Sequence, residues 1–321
     1  MAELEIRNMG RTGMTPVALG LGGAWWHEVS NEETVAGIHR AIELGINYLD
    51  TYPGEYASDT NPGQNEARWG TALEGGRRQQ VYLQAKVSSH APGDRHTDHS
   101  GPQTRSSVEA SLKLLRTDYI DTLLIHGYDY LTDPETVDDF VDPLGPGNAL
   151  DELIKMKKEG HIRHIGIGAR TPEVQRRAIE TGEIEILLTY LDYSLLSQDV
   201  AATTFDLARE YGVGLILASP LHMGLLTGAR EAFDRAASYE DNFPTAERAR
   251  RIWDWCLERD LNIRHMALRF CLEAPIDGIV MPGPCNKQQV EEAHESATAD
   301  ISSEIWSDFE AEFGIGPGHR R

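Results

Sequence analysis

Short apolar, β-branched runs alternate with longer stretches of helical periodicity about eight times along this chain, and that alternation leaves few folds open. Strands covered on both faces read as near-continuous apolar runs, and the helices that cover them repeat every 3.6 residues, so the signature implies a parallel sheet. The runs are VALGLG (17–22), INYLD (46–50), VYLQAK (81–86), IDTLLIH (120–126), IRHIGIG (162–168), EILLTY (185–190), GLILAS (214–219) and DGIVMPG (277–283).

The intervening segments carry helix punctuation. A Ser30-x-x-Glu33 capping box opens a helix with Val35, Ile38 and Ile42 on one face, which stops at Gly45. In TRSSVEASLKLL, Val108, Leu112 and Leu115 share a face, and Thr171-Pro172-Glu173 reads as an N-cap followed by proline at the first helical position. A long, polar, aromatic stretch precedes a helix over NIRHMALRFCLE (262–273), and a last helix begins near Lys287. Eight such units without a Pro/Gly/Ser-rich linker or a composition break predict a closed (β/α)8 TIM barrel, a single domain over 1–321, with a doubly wound open sheet as the rival. EIRNMGRTGMTPVAL predicts an N-terminal β-hairpin turning at Arg11, Thr12 and Gly13.

Composition narrows the partners. The 321 residues are 40% hydrophobic, enough for a sizeable core, and carry a formal net charge of −21. The carboxylates are spread along the whole chain, which favours solubility and argues against nucleic acid or an anionic membrane as partner. Cys256, Cys271 and Cys285 form neither a CxxC nor a disulfide framework. With no apolar leader and no long apolar run, a cytoplasmic location is expected. The oligomeric state is left open.

In a βα barrel, chemistry belongs to residues that leave the strands at their carboxyl ends. Asp50, Lys86 and His126 close three consecutive runs. Singly, each has an ordinary reading: a helix-entry acid, a lysine reaching solvent along its stem, a hydrogen-bonded histidine. Together, an acid, an amine and an imidazole suit hydride transfer to or from a carbonyl, provided a phenol joins them. A neighbouring ammonium favours the phenolate and lowers a phenol's pKa from about 10, an acid would keep that ammonium charged and in place, and an imidazole would donate to the carbonyl oxygen. Two tyrosines, Tyr52 and Tyr56, follow Asp50 closely.

Four stretches in this order, SVEASLKLLRTDYIDTLLIH (107–126), KKEGHIRHIGIG (157–168), LLTYLDYSLLSQ (187–198) and ASPLHMGLLTG (218–228), resemble the aldo-keto reductase family. The likeness runs from GRTGMTPVALGLGGA (10–24) to MPGPCNKQQVEEA (281–293), and within the family it is nearest the L-galactose and D-threo-aldose 1-dehydrogenase branch. The resemblance implies a catalytic tetrad of Asp50, a tyrosine, Lys86 and His126. The family's tyrosine usually stands five residues after the aspartate, where this chain has Glu55. Reading PGEY as the family's PGY with one inserted residue puts Tyr56 in the role. Tyr52 is the alternative, and replacement of the acid by Glu55 or an altered site the third.

No G-x-G-x-x-G opens a helix here, so a Rossmann reading is weak. The resemblance instead implies a nicotinamide dinucleotide, NAD or NADP, extended across the barrel mouth. Gly23 and Ala24 would approach the nicotinamide ribose, while Ser219, Leu221, Gly224, Gly283 and Lys287 would line the pyrophosphate and adenosine path, the last at a helix N-terminus suited to an anion. The family's Ser-Asn carboxamide clamp aligns with Gly168 and Ala169, its glutamine with Tyr190, and its 2′-phosphate-binding arginine falls near Cys285. Without that arginine NAD is slightly favoured. Trp25 and Trp26, after the first run, and Tyr128 with Tyr130, after His126, are candidate walls for a small carbonyl or sugar substrate.

Two rival functions remain. A nicotinamide-binding regulatory subunit with little turnover would suit the missing clamp. A metal-dependent barrel hydrolase would draw on His90, His96, His99, Asp94 and Asp98, whose irregular loop spacing is weak evidence, so no metal is expected.

Overall fold

A computed structural model describes residues 3–26, 29–52, 64–87, 99–127, 141–238 and 243–318. Its sheet runs β1 (Tyr48–Asp50), β2 (Tyr82–Lys86), β3 (Ile120–Ile125), β4 (Ile162–Gly168), β5 (Ile186–Tyr190), β6 (Gly214–Ala218) and β7 (Gly278–Met281), each parallel to the next in chain order. Residues 17–22 fill the eighth place. Leu19 bridges Val280 of β7, and Leu21 bridges Leu49 of β1. Gly20 N donates to Val280 O and Asp50 N to Leu21 O, both at 2.9 Å, so the sheet closes on itself as a (β/α)8 barrel.

The eighth position holds only isolated bridges because two of its residues are glycines pressed against β7. A Cβ on Gly20 would lie 2.9 Å from Ile279 Cδ1, and one on Gly22 would lie 2.9 Å from Pro282 O. The predicted hairpin precedes it. Arg7 N donates to Pro16 O at 2.8 Å and Ala18 N to Glu5 O at 2.7 Å, around a turn at Gly10–Thr12 with Gly13 at φ +76°.

Period-2 alternation divides the apolar side chains between two cores. Tyr48, Leu124, Ile186, Leu188, Ile216, Ile279 and Met281 fill the barrel interior, and the hairpin's Met9 and Met14 plug its lower end. The outward set packs against α1 (Asn31–Glu43), α2 (Gln64–Ala72), α3 (Gly101–Leu114), α4 (Ala149–Glu159), α5 (Pro172–Glu180), α6 (Asp199–Thr203), α7 (Phe205–Tyr211), α8 (Arg230–Ala237), α9 (Phe243–Leu257), α10 (Ile263–Leu272), α11 (Lys287–Ala297) and α12 (Ser303–Phe313). The capping box at α1 is made on both sides, and Ser100, Asn262, Asn286 and Ser302 cap α3, α10, α11 and α12 through their side chains.

The long aromatic stretch after β6 contains α8 and α9, and α12 follows α11. Periodicity alone did not separate these. Their aromatics pack across elements instead: Phe233 of α8 against Trp253 at 5.4 Å, and Trp255 of α9 against Phe309 of α12 at 5.3 Å between ring centroids. Among the described residues, no helix is long and apolar enough to cross a membrane.

Candidate active site

Asp50 ends β1, Lys86 ends β2, and His126 directly follows β3. Register brings them together: Asp50 stands opposite Gln84, two residues before Lys86, and Lys86 stands opposite Leu124, two residues before His126. All three therefore share the inward face at the carboxyl end of the barrel. Lys86 Nζ lies 2.5 Å from Asp50 Oδ1 and also donates to Thr51 O at 2.8 Å. Both side chains of the pair are more than nine-tenths buried. A buried ion pair persists only where further hydrogen bonds offset the lost hydration, and the Thr51 carbonyl and the Gln84 amide, 2.7 Å from Asp50 Oδ1, supply them.

Burial, then the Lys86 ammonium and His99, hold the His126 pKa down at about 3, so its imidazole is neutral near pH 7 and has one N–H to donate. Tyr52 stands over the pair. Its ring meets His126 edge-on, centroids 5.6 Å apart at 74°, and Lys86 Nζ lies 5.7 Å from its centroid. Gly168 faces the same space, since a Cβ there would come only within 3.6 Å of His126 Cδ2. Tyr56, with Glu55, and Tyr128, with Tyr130, lie outside the described residues, as do His90, Asp94, His96 and Asp98. No group of three metal-ligating side chains occurs among the described residues.

Asn65 of α2 ties the rim together. Its Nδ2 donates to Tyr52 O at 2.7 Å and to Gly23 O at 3.2 Å, joining the exit of β1 to the exit of residues 17–22. Gly23 passes so close that a Cβ would lie 2.2 Å from Asp50 O, which admits only glycine.

The two adjacent tryptophans separate, and Trp26 corrects the sequence expectation. It has zero exposure, packs edge-on against Trp69 with centroids 6.3 Å apart, and donates from Nε1 to Gly22 O at 3.1 Å, so it cannot line a substrate pocket. Gly37 makes room for it, since a Cβ there would lie 2.3 Å from the indole. Trp26→Ala is expected to destabilise the fold by about 3–5 kcal/mol in urea denaturation; a loss under about 1 kcal/mol would contradict this packing role. Trp25 is half-buried, with its indole beside Gly283.

The remaining rim residues cluster around the ends of β5, β6 and β7. Tyr190 packs half-buried on the inner core. Ser219 adopts φ +58° and donates from its amide to Met281 O at 3.3 Å, and the turn His222–Gly224 follows it, bounded by Leu221 and with Gly224 at φ +116°. Asn286 caps α11 by accepting from Gln289 N at 2.9 Å, and the Gln289 side chain accepts from Cys285 N at 2.9 Å. The first amides of α11, at Lys287 and Gln288, have no intrahelical acceptor, and the Lys287 side chain is exposed. These donors fit the phosphates of a dinucleotide. The Gly168–Ala169 end offers no polar side chain, and the Ala169 amide and carbonyl are already paired with Leu188 O and Gln175 Nε2.

Sequence reasoning passed over Gln84, Tyr48 and Thr122, which form a buried polar layer directly under the ion pair. The signal for Gln84 was its place two residues before Lys86, on the same face of the strand.

Comparison with known proteins agrees with this barrel. The aldo/keto reductase family model matches residues 17–311, and the chain belongs to that family of nicotinamide-dependent oxidoreductases. It is 29% identical over 302 residues to the L-galactose dehydrogenase of Arabidopsis thaliana, covering 91% of this chain and 88% of that one. Identity is 30% over 256 residues to the NADH-specific methylglyoxal reductase of Escherichia coli (strain K12), covering 76% of this chain and 71% of the relative. It is 26% over 323 residues to the D-threo-aldose 1-dehydrogenase of a Pseudomonas species, covering 92% and 94%.

Proposed function

We propose that the protein moves hydride between a nicotinamide and C1 of an aldose hemiacetal, giving a lactone, or, in the reductive sense, a small aldehyde or ketone. The observation that carries this reading is the buried Lys86–Asp50 pair beside a neutral His126 at the barrel mouth. The names of two relatives, an L-galactose dehydrogenase and a D-threo-aldose 1-dehydrogenase, support the sugar direction, and that of the methylglyoxal reductase supports the other.

In this reading the family's cofactor, when bound, supplies or accepts the hydride at C4 of its nicotinamide ring. Tyr56 is the acid/base: its phenolate takes the proton of the C1 hydroxyl in oxidation, and its phenol protonates the nascent alkoxide in reduction. Lys86 favours the phenolate, and Asp50 holds the ammonium in place. Neutral His126 donates its N–H to the substrate oxygen as negative charge gathers there. Trp25, Tyr128 and the Tyr52 ring would wall the substrate, and their apolar faces suit sugar C–H groups. Gly23 and Ala24 would face the nicotinamide ribose, Tyr190 its ring, and Ser219, Leu221, Gly224, Gly283 and Lys287 the rest of the dinucleotide.

The first test follows absorbance at 340 nm with NAD and NADP against a panel of aldoses and small aldehydes. Cofactor binding without turnover across the panel would replace this reading with the regulatory one; chelator-sensitive hydrolysis without cofactor binding would replace it with a hydrolase.

Cofactor choice turns on Cys285, which cannot pair with a 2′-phosphate. NAD is therefore the preferred cofactor, and Cys285→Arg is expected to shift the ratio of kcat/KM values toward NADP by about tenfold, the worth of one charge-assisted hydrogen bond. An unchanged ratio would remove residue 285 from cofactor selection.

A further inference from the structure

We infer that Gln84 is a positioning residue of the proposed site: its side-chain amide shares the Asp50 carboxylate with Lys86 and so sets how much of the ammonium's charge reaches the barrel mouth. The inference rests on the roles proposed above for Asp50 and Lys86. Asp50, Gln84 and Thr122 form one row in register across β1, β2 and β3, and Gln84 and Thr122 have no solvent exposure. Asp50 Oδ1 accepts from Lys86 Nζ at 2.5 Å and from Gln84 Nε2 at 2.7 Å.

The orientation of this amide follows by elimination. Tyr48 OH lies 2.8 Å from Gln84 Oε1 and 3.0 Å from Thr122 Oγ1. An amide oxygen only accepts, so the Tyr48 proton goes to Gln84, and the Thr122 hydroxyl donates to the Tyr48 oxygen. Burial raises the Tyr48 pKa above that of a free phenol, which keeps this proton in place. The Asp50 carboxylate, paired with Lys86, can only accept, so the NH2 must face it, which leaves the amide oxygen below to take the Tyr48 proton.

Packing does not call for an amide here, because methionine or leucine would fill the same volume in an interior otherwise built of Leu124, Ile186, Ile216 and Met281. A buried amide is tolerated only when both ends are satisfied, and both are. The upper bond matters because of the atom it reaches. A neutral donor on Asp50 Oδ1 takes up part of the carboxylate's charge. Without it, Asp50 compensates the Lys86 ammonium more completely, and the ammonium stabilises a neighbouring phenolate less.

The test compares wild type with Gln84→Met, which nearly keeps length and volume, and Tyr48→Phe, which removes the hydroxyl that holds the amide oxygen and accepts from Thr122. Gln84→Met is expected to lower kcat about three- to tenfold with KM unchanged, and to move the pH midpoint of kcat up by roughly half a unit to one unit. Tyr48→Phe should move it the same way by less. A second readout stands without turnover. The chain has six lysines, so in 15N-lysine-labelled protein the Lys86 Nζ resonance is identified by its loss in Lys86→Met. It should shift in Gln84→Met while the other five stay in place. A fall in kcat accompanied by lower Tm, with the pH midpoint and the Lys86 resonance unmoved, would reduce Gln84 to packing and overturn the inference. If wild type turns over no substrate, the proposed function fails, and the resonance still decides whether Gln84 acts on Lys86 through Asp50.

Discussion

The Lys86→Met protein is expected to lose turnover by at least about a thousandfold while binding cofactor within about threefold of wild type, because the Lys86 ammonium is buried against Asp50 and acts on the acid/base. The same change leaves Asp50, 5% exposed, without its counter-charge and held on its side chain by Gln84. Breaking a buried pair on one side costs about 3–5 kcal/mol, so the variant should also unfold at lower urea. The two losses separate in Lys86→Met combined with Asp50→Leu. That protein should recover part of the stability, short of the Gln84 amide's lost acceptor, and none of the turnover, measured by urea denaturation and by single-turnover absorbance at 340 nm. Activity within tenfold of wild type in Lys86→Met would show that no ammonium is needed at the reacting oxygen.

Tyr56→Phe is expected to reduce kcat by about a hundred- to ten-thousandfold, whereas Tyr52→Phe should stay within about threefold. The contrast rests on what Tyr52 does in the structure. Lys86 spends hydrogen bonds on Asp50 and on the Thr51 carbonyl, and it meets the ring of Tyr52, whose edge contact with His126 also belongs to the ring. Phenylalanine keeps that ring. The opposite pattern, with turnover lost in Tyr52→Phe and kept in Tyr56→Phe, would move the acid/base to Tyr52 and leave the roles of Lys86 and His126 standing.

Much of this site is legible in the amino-acid sequence, for a geometric reason. A residue that closes an apolar run in a βα protein stands at the barrel mouth, and three consecutive runs close on Asp50, Lys86 and His126. The layer beneath is legible only in principle. Gln84 and Thr122 lie on the inward face by period, yet a polar residue inside a strand draws notice only when its partner is known, and Tyr48 and Asp50 belong to a different strand. Asn65 is similar: its hydrogen bonds reach the carbonyls of Gly23 and Tyr52, 42 and 13 residues away in the chain.

By itself the sequence determined the parallel βα architecture, the hairpin, the capping box that opens α1 and the family resemblance, because strand alternation, helical period and capping are properties of neighbours along the chain. The tertiary structure decided the rest. Closure of the barrel by bridges at Leu19 and Leu21 depends on contacts with residues near both ends of the sheet order. The division of labour between Trp25 and Trp26 depends on Trp69 and on the space at Gly37, and the docking of α9 against α12 depends on Trp255 meeting Phe309. Which of two adjacent side chains is buried, and which buried polar atoms find partners, is settled by packing between distant segments, and local periodicity carries no information about that.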